Sequence, residues 1–289
     1  MSILTIGVIT YFIGVLLSKF IFSMHLDAIN HAFYGRWDEL TDSQIKYYQA
    51  FQTFGFFILP GIFLHWILSA SDNEYFNIRF KINGVGLVLT IIAFAGAIPL
   101  INWIVNLNQS ISFPTFMSGI EDSLRTNEES LTSFSKRLLD MQGIPSLIAT
   151  VFIIGALPAI GEEFIFRGVF QTLFKEILRN MHLSIIISAI LFSAFHGEFF
   201  GFIPRFFLGL LLGYLMHWSK TIWMPVIGHF IFNSATIIIC YLFQREKIGS
   251  LGQSLSIDGQ FNLIVLVSLG VVIVMMFALR KLYANPQRN

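Results

Sequence analysis

Uncharged apolar runs recur along the whole chain, and they constrain its fold more than any other feature. They cover residues 3–17, 48–70, 85–105, 147–160, 183–195, 206–218, 222–243 and 261–279. A helix needs roughly 20 predominantly apolar residues to cross a bilayer. Several runs reach that length, and the shorter ones can complete a span with flanking polar residues buried against neighbouring helices. The reading is an all-α, polytopic membrane bundle of about eight transmembrane helices, forming one integral membrane domain over residues 1–289. Composition agrees. Only 12% of residues are charged, against about 25% in soluble domains, and the mean hydropathy is +0.71.

The remaining composition excludes some functions. Net charge is +1 with no long basic run, so nucleic acid is not an expected partner. The single Cys240 rules out an intrachain disulfide and a Cys-rich metal site. The first apolar run has no positive segment before it and no small-residue cleavage site after it, so it reads as a retained helix. Eight spans place both termini on one side of the membrane. Arg79/Lys81, Lys175/Arg179, Lys220 and the tail residues Arg280, Lys281 and Arg288 lie on that side in short segments. They favour the cytoplasm and a multi-pass protein of the cell (inner) membrane.

Two polar loops interrupt the spans. The first, residues 25–47, contains "FYGRWDELTDSQIK" and reads as a turn followed by a short helix. In the second, residues 106–143, Thr126-Asn127-Glu128-Glu129 has the capping-box pattern. Leu131, Phe134, Leu138 and Met141 follow at helical spacing, giving an amphipathic helix with Lys136 and Arg137 on or near its polar face. It either covers the bundle, lies on the membrane surface, or merely connects two spans. Gly209 and Gly213, four apart in "GLLLG", permit close helix approach, with packing inside the chain expected over dimerisation.

Chemistry-bearing residues within apolar sequence are concentrated between 145 and 243, the catalytic motif region. In "PAIGEEFIFRGVF", residues 158–170, Glu162, Glu163 and Arg167 require a reason to be there, because an unpaired charge is costly in hydrocarbon. Glu163 and Arg167 are four apart and can pair on one helix face. Glu162 is rotated about 100° from that face and stays available. His229 and Asn233 are likewise four apart on a later helix. His196 closes "FSAFH", with Phe192 one turn earlier as an apolar wall.

A carboxylate beside an imidazole can deprotonate water and return the proton to a leaving amine. A second His and a carboxamide can donate hydrogen bonds to the oxyanion of a tetrahedral intermediate. Without a Ser or Cys nucleophile that has its own base, attack by activated water is favoured. From spacing alone, a structural ion pair or a transport relay remains open beside hydrolysis.

Glu162-Glu163-x-x-x-Arg167, then Phe192-x-x-x-His196, then His229-x-x-x-Asn233 resemble the three ordered motifs of the CPBP family. These are the CAAX prenyl endopeptidase and bacteriocin-processing membrane proteins, also called Abi. The resemblance implies an eight-helix intramembrane endopeptidase acting on a membrane-associated peptide, with the bilayer as its surroundings. It implies that Glu162 and His196 activate water and that His229 and Asn233 form the oxyanion hole. Glu163 and Arg167 fit supporting roles. No cofactor is expected, although two His and two Glu leave zinc possible. Family members include enzymes that trim three residues after a prenylated cysteine and others linked to bacteriocin maturation or self-immunity. Non-proteolytic scaffolds are the alternative.

Overall fold

The computed structural model describes residues 3–23, 39–68, 80, 82–244 and 261–284. The loops carrying Arg79 and Lys81, most of the loop at 25–47, and Arg288 lie outside them. All regular structure in the described residues is helical. In chain order the α-helices are α1 Ile3–Ile21, α2 Asp42–Thr53, α3 Leu59–Leu68, α4 Gly84–Gly96 and α5 Ile98–Gln109. There follow α6 Ser118–Leu138, α7 Ile144–Thr150, α8 Leu157–Glu163, α9 Thr172–Leu178 and α10 Met181–Ala194. The last three are α11 Phe202–Ser219, α12 Trp223–Gln244 and α13 Leu263–Ala284.

Four helical stretches are long and apolar enough to cross a membrane: Gly84–Gln109, Ile144–Leu178, Trp223–Phe243 and Leu263–Ala284. Shorter apolar helices include Thr5–Ile21 and Met181–Ala194. The molecule is a helical membrane bundle, and its outward faces are apolar. Val8, Phe12, Leu16 and Phe20 project from α1, and Val267, Ile273, Val274 and Phe277 from α13. The largest buried cluster joins Phe94 of α4, Ile101 of α5, Leu212 and Leu215 of α11, Met224 of α12 and Met276 of α13.

The helix expected to carry Glu163 and Arg167 on one face runs from Ile144 to Leu178. It passes through Glu162, Glu163 and Arg167 because two of those charges neutralise each other. The helix expected to start at the Thr126 capping box starts eight residues earlier, at Ser118. Inside it, Thr126 turns its hydroxyl back to the Asp122 carbonyl at 2.8 Å, an option open to any Thr in a helix interior. The capping box that does form is at Thr41. Its hydroxyl accepts from the Gln44 N–H, and the Gln44 side chain accepts from the Thr41 N–H. The short helix it starts runs on, through a π-helical turn at Phe54–Ile58, into the apolar α3.

The amphipathic α6 covers the bundle. Phe134 and Leu138 pack with Val15 of α1 and Ile45 and Tyr48 of α2. Arg137 pairs with Asp42 at 3.0 Å and also donates to the Leu40 carbonyl.

Gly209 and Gly213 are used within the chain. A Cβ at Gly209 would stand 3.0 Å from the Ala189 Cβ, and one at Gly213 only 2.7 Å from Ile185 Cγ2. Their bare faces let α10 and α11 pack antiparallel at close range, which carries the two later motifs toward the first.

Candidate active site

The first motif lies in the Ile144–Leu178 stretch, where α8 is flanked by π-helical segments at Val151–Ala156 and Phe164–Gln171. π-turns are rare and occur mostly as local bulges, often at functional sites. Pro158 contributes to the local irregularity because it has no N–H to give to the carbonyl four residues earlier. That carbonyl belongs to Ile154, and it is reached instead by the Asn233 carboxamide, at 3.4 Å.

Glu163 and Arg167 form the ion pair that their spacing predicts. Arg167 Nη1 lies 2.7 Å from Glu163 Oε1, with the side chains 1% and 0% exposed. A guanidinium this deep needs further partners. Arg167 Nη2 donates to the Gly209 carbonyl at 3.0 Å, and the guanidinium lies 4.7 Å from the centre of the Phe192 ring. One turn on, Gln171 donates to the Gly213 carbonyl at 3.1 Å. Two donors four apart on one helix thus meet two glycine carbonyls four apart on another. The sequence motifs do not include Gln171, although its four-residue spacing from Arg167 is the signal that finds it.

Glu163 holds more than its arginine. The same Oε1 lies 2.9 Å from His229 Nδ1, which fixes the imidazole of the third motif against the first. The other ring nitrogen, Nε2, stands 3.9 Å from Glu162 Oε2. Glu162 is 13% exposed on its side chain and makes no hydrogen bond among the described residues. The two adjacent carboxylates therefore face different groups. Glu163 is committed to Arg167 and His229, while Glu162 faces an imidazole edge across a gap slightly too long for a direct bond.

Phe192 links the cluster to the second motif. Its ring is edge-on to both imidazoles, 5.2 Å from His196 and 5.8 Å from His229. His196 has Nδ1 2.9 Å from the Phe192 carbonyl, which leaves Nε2 as its free nitrogen. Glu162, Glu163, Arg167, His196 and His229 are thus gathered around one aromatic ring and one ion pair. Asn233 sits a turn beyond His229, against the Ile154 carbonyl. Glu198 and Arg205 form an ion pair. Arg205 also stands close enough for its charge to act on Glu162 and His196.

Zinc would need three protein donors around one point. Among the described residues no three His, Cys, Asp or Glu side chains are grouped to hold a metal ion. The donor set does not fit such a centre.

A bundle of apolar helices around a buried Glu–Arg–His cluster defines the class, an integral membrane protein with a polar centre. Known proteins make it more specific. Residues 144–235 match the family of type II CAAX prenyl endopeptidase Rce1-like proteins. The chain is 34% identical over 109 residues to the membrane-embedded CAAX protease MroQ of Staphylococcus aureus (strain USA300), covering 36% of this chain and 42% of that protein. It is 27% identical over 104 residues to the uncharacterized protein YpbD of Bacillus subtilis (strain 168), covering 35% of this chain and 48% of that one. The chain thus spans less than half the length of either relative. No solved structure matches it. The family match falls on the segment that carries the three motifs.

Proposed function

We propose that this chain is a multi-pass intramembrane endopeptidase that hydrolyses a peptide bond of a membrane-associated substrate, with CAAX-type processing as its substrate class. The observation that carries this is the division of labour between adjacent glutamates. A purely structural cluster would occupy both. Here one is locked in an ion pair, and the other faces an imidazole with its carboxylate uncommitted.

In the mechanism, Glu162 is the general base, assisted by the free Nε2 of His196. Water gives a proton to Glu162 as its oxygen attacks the scissile carbonyl carbon. The oxyanion that forms takes hydrogen bonds from His229 Nε2–H and the Asn233 carboxamide. The C–N bond then breaks, and the proton held by Glu162 passes to the departing amine. Burial strengthens each of these interactions over its value in water. Asn233 must leave the Ile154 carbonyl to take part, and their 3.4 Å contact is long enough to yield easily.

The test compares the termini of membrane proteins in cells carrying wild-type protein with those in cells carrying Glu162→Ala, followed by cleavage assays on purified protein. A positioned general base contributes about 10²–10⁴ in rate, so Glu162→Ala should abolish detectable cleavage while remaining folded and inserted. Full activity in that variant would discard the assignment. Loss of cleavage without loss of cellular function would instead indicate a scaffold.

A further inference from the structure

The helix α6 has a second face besides the one packed on α1 and α2. Arg125, Glu128, Thr132 and Lys136 follow one another at intervals of three or four residues and form a stripe. With Ser133 and Phe200 they line a cavity of about 510 Å³, within the usual range for ligand pockets of about 300–1,000 Å³. This cavity lies beside the cluster described above rather than within it.

Phe200, in its lining, belongs to the loop that follows His196. Gly197 turns the chain there with φ +68°, a conformation glycine adopts freely. The Asn127 carboxamide donates to the Gly197 carbonyl at 3.0 Å. Glu128 accepts from the Phe200 N–H, and the Arg125 guanidinium lies 4.5 Å from the centre of the Phe200 ring. Three side chains of α6 thus hold four residues of loop that begin immediately after the motif histidine.

The groups left over indicate what the cavity can bind. Arg125 is engaged by Glu121 and by the Ile111 carbonyl. Glu128 keeps one buried carboxylate oxygen that has no hydrogen-bond partner. Lys136 is exposed and makes no ion pair among the described residues. Thr132 and Ser133 add two hydroxyls. An unpaired acceptor, a free cation and two hydroxyls along one stripe match the alternating N–H and C=O groups of an extended peptide. The carboxylates of Glu128 and Glu129 disfavour a phosphate headgroup in the same space, because like charges repel.

We propose that the cavity between α6 and the 197–200 loop binds the polar peptide segment on one side of the scissile bond and holds it next to His196. This rests on the peptidase reading above. The lysine takes a backbone carbonyl, and the free Glu128 oxygen takes a backbone N–H.

The experiment uses full-length protein in lipid nanodiscs, with a farnesylated CAAX-type peptide carrying a free carboxylate as the probe. Benzoylphenylalanine replaces Thr132 in the Glu162→Ala background, and illumination should cross-link the residues that follow the prenylated cysteine. In the otherwise wild-type protein, Lys136→Glu should raise KM about tenfold with little change in kcat, the scale of one charge-assisted hydrogen bond. Because Lys136 is exposed, the variant should fold normally. Cleavage of the peptide with an unchanged KM in Lys136→Glu and cross-links to lipid alone would overturn the cavity and leave the peptidase reading intact. Cross-linking at Thr132 without cleavage by the wild type would support the cavity and overturn the peptidase reading. Neither cross-linking nor cleavage would overturn both.

Discussion

Arg167 has its guanidinium held by a carboxylate, a backbone carbonyl and an aromatic face, at 1% side-chain exposure. Removing one partner of a buried pair typically costs about 3–5 kcal/mol, whereas replacing both by apolar or neutral groups is often close to neutral. Arg167→Ala should therefore be poorly expressed or thermally weak, because it strands Glu163 without its cation. The double variant Glu163→Gln/Arg167→Met should recover much of the loss. The introduced carboxamide keeps an oxygen that can accept from His229 Nδ1–H, so the imidazole stays oriented, but the buried charges beside it are gone. Recovered thermal stability in detergent with activity still low is the expected pattern. A double variant no more stable than Arg167→Ala would show that the pair does not hold the bundle.

At the scale of elements, the glycine face of α11 determines how close α10 and the first-motif helix can come. A Cβ at Gly209 would meet the Ala189 backbone at 3.1 Å, and backbone cannot rotate out of the way as a side chain can. Gly209→Leu should separate α10 from α11 and pull the Gly209 carbonyl from Arg167. Overpacking costs about 1–3 kcal/mol in soluble cores, and the lost hydrogen bond adds to it here. Gly270→Leu on α13 is the control, since nothing lies within 4 Å of its Cβ position. Thermal unfolding should show a clear drop for the first and little change for the second. Equal effects would mean that helix propensity, not packing, is being measured.

The same elements show what the sequence makes legible. Apolar runs locate the helices because hydrocarbon length fixes helix length. Four-residue spacing locates the Glu163–Arg167 pair because helix geometry puts those positions on one face. The contact of His229 with Glu163 is not legible, because it depends on how two helices far apart in sequence are offset. The start of α6 is misread from its T-x-x-E because that pattern occurs inside helices as well as at their ends. The capping box at Thr41 shows that the pattern reports a helix start only where the preceding backbone is extended.

For the molecule as a whole, the decisive question is whether the proposed reaction needs a metal. A catalytic zinc takes three protein ligands and keeps one position for water. Glu163 already carries a buried guanidinium at 2.7 Å and an imidazole at 2.9 Å on one oxygen, so a dication there would be repelled by Arg167. His196 and His229 each have Nδ1 tied, to the Phe192 carbonyl and to Glu163. Their free Nε2 atoms and Glu162 are the remaining donors, and they are not grouped around a common point among the described residues. The sequence also lacks the HExxH spacing that puts two ligands on one helical turn. The purified protein should therefore contain no stoichiometric transition metal and keep its activity after dialysis against a chelator. Elemental analysis and a cleavage assay on the same sample check both statements. About one zinc per chain, lost together with activity in His196→Ala, would make the enzyme a metalloprotease. Glu162 would then act as a ligand or as a base beside the metal, and the free carboxylate would be explained by the ion it faces.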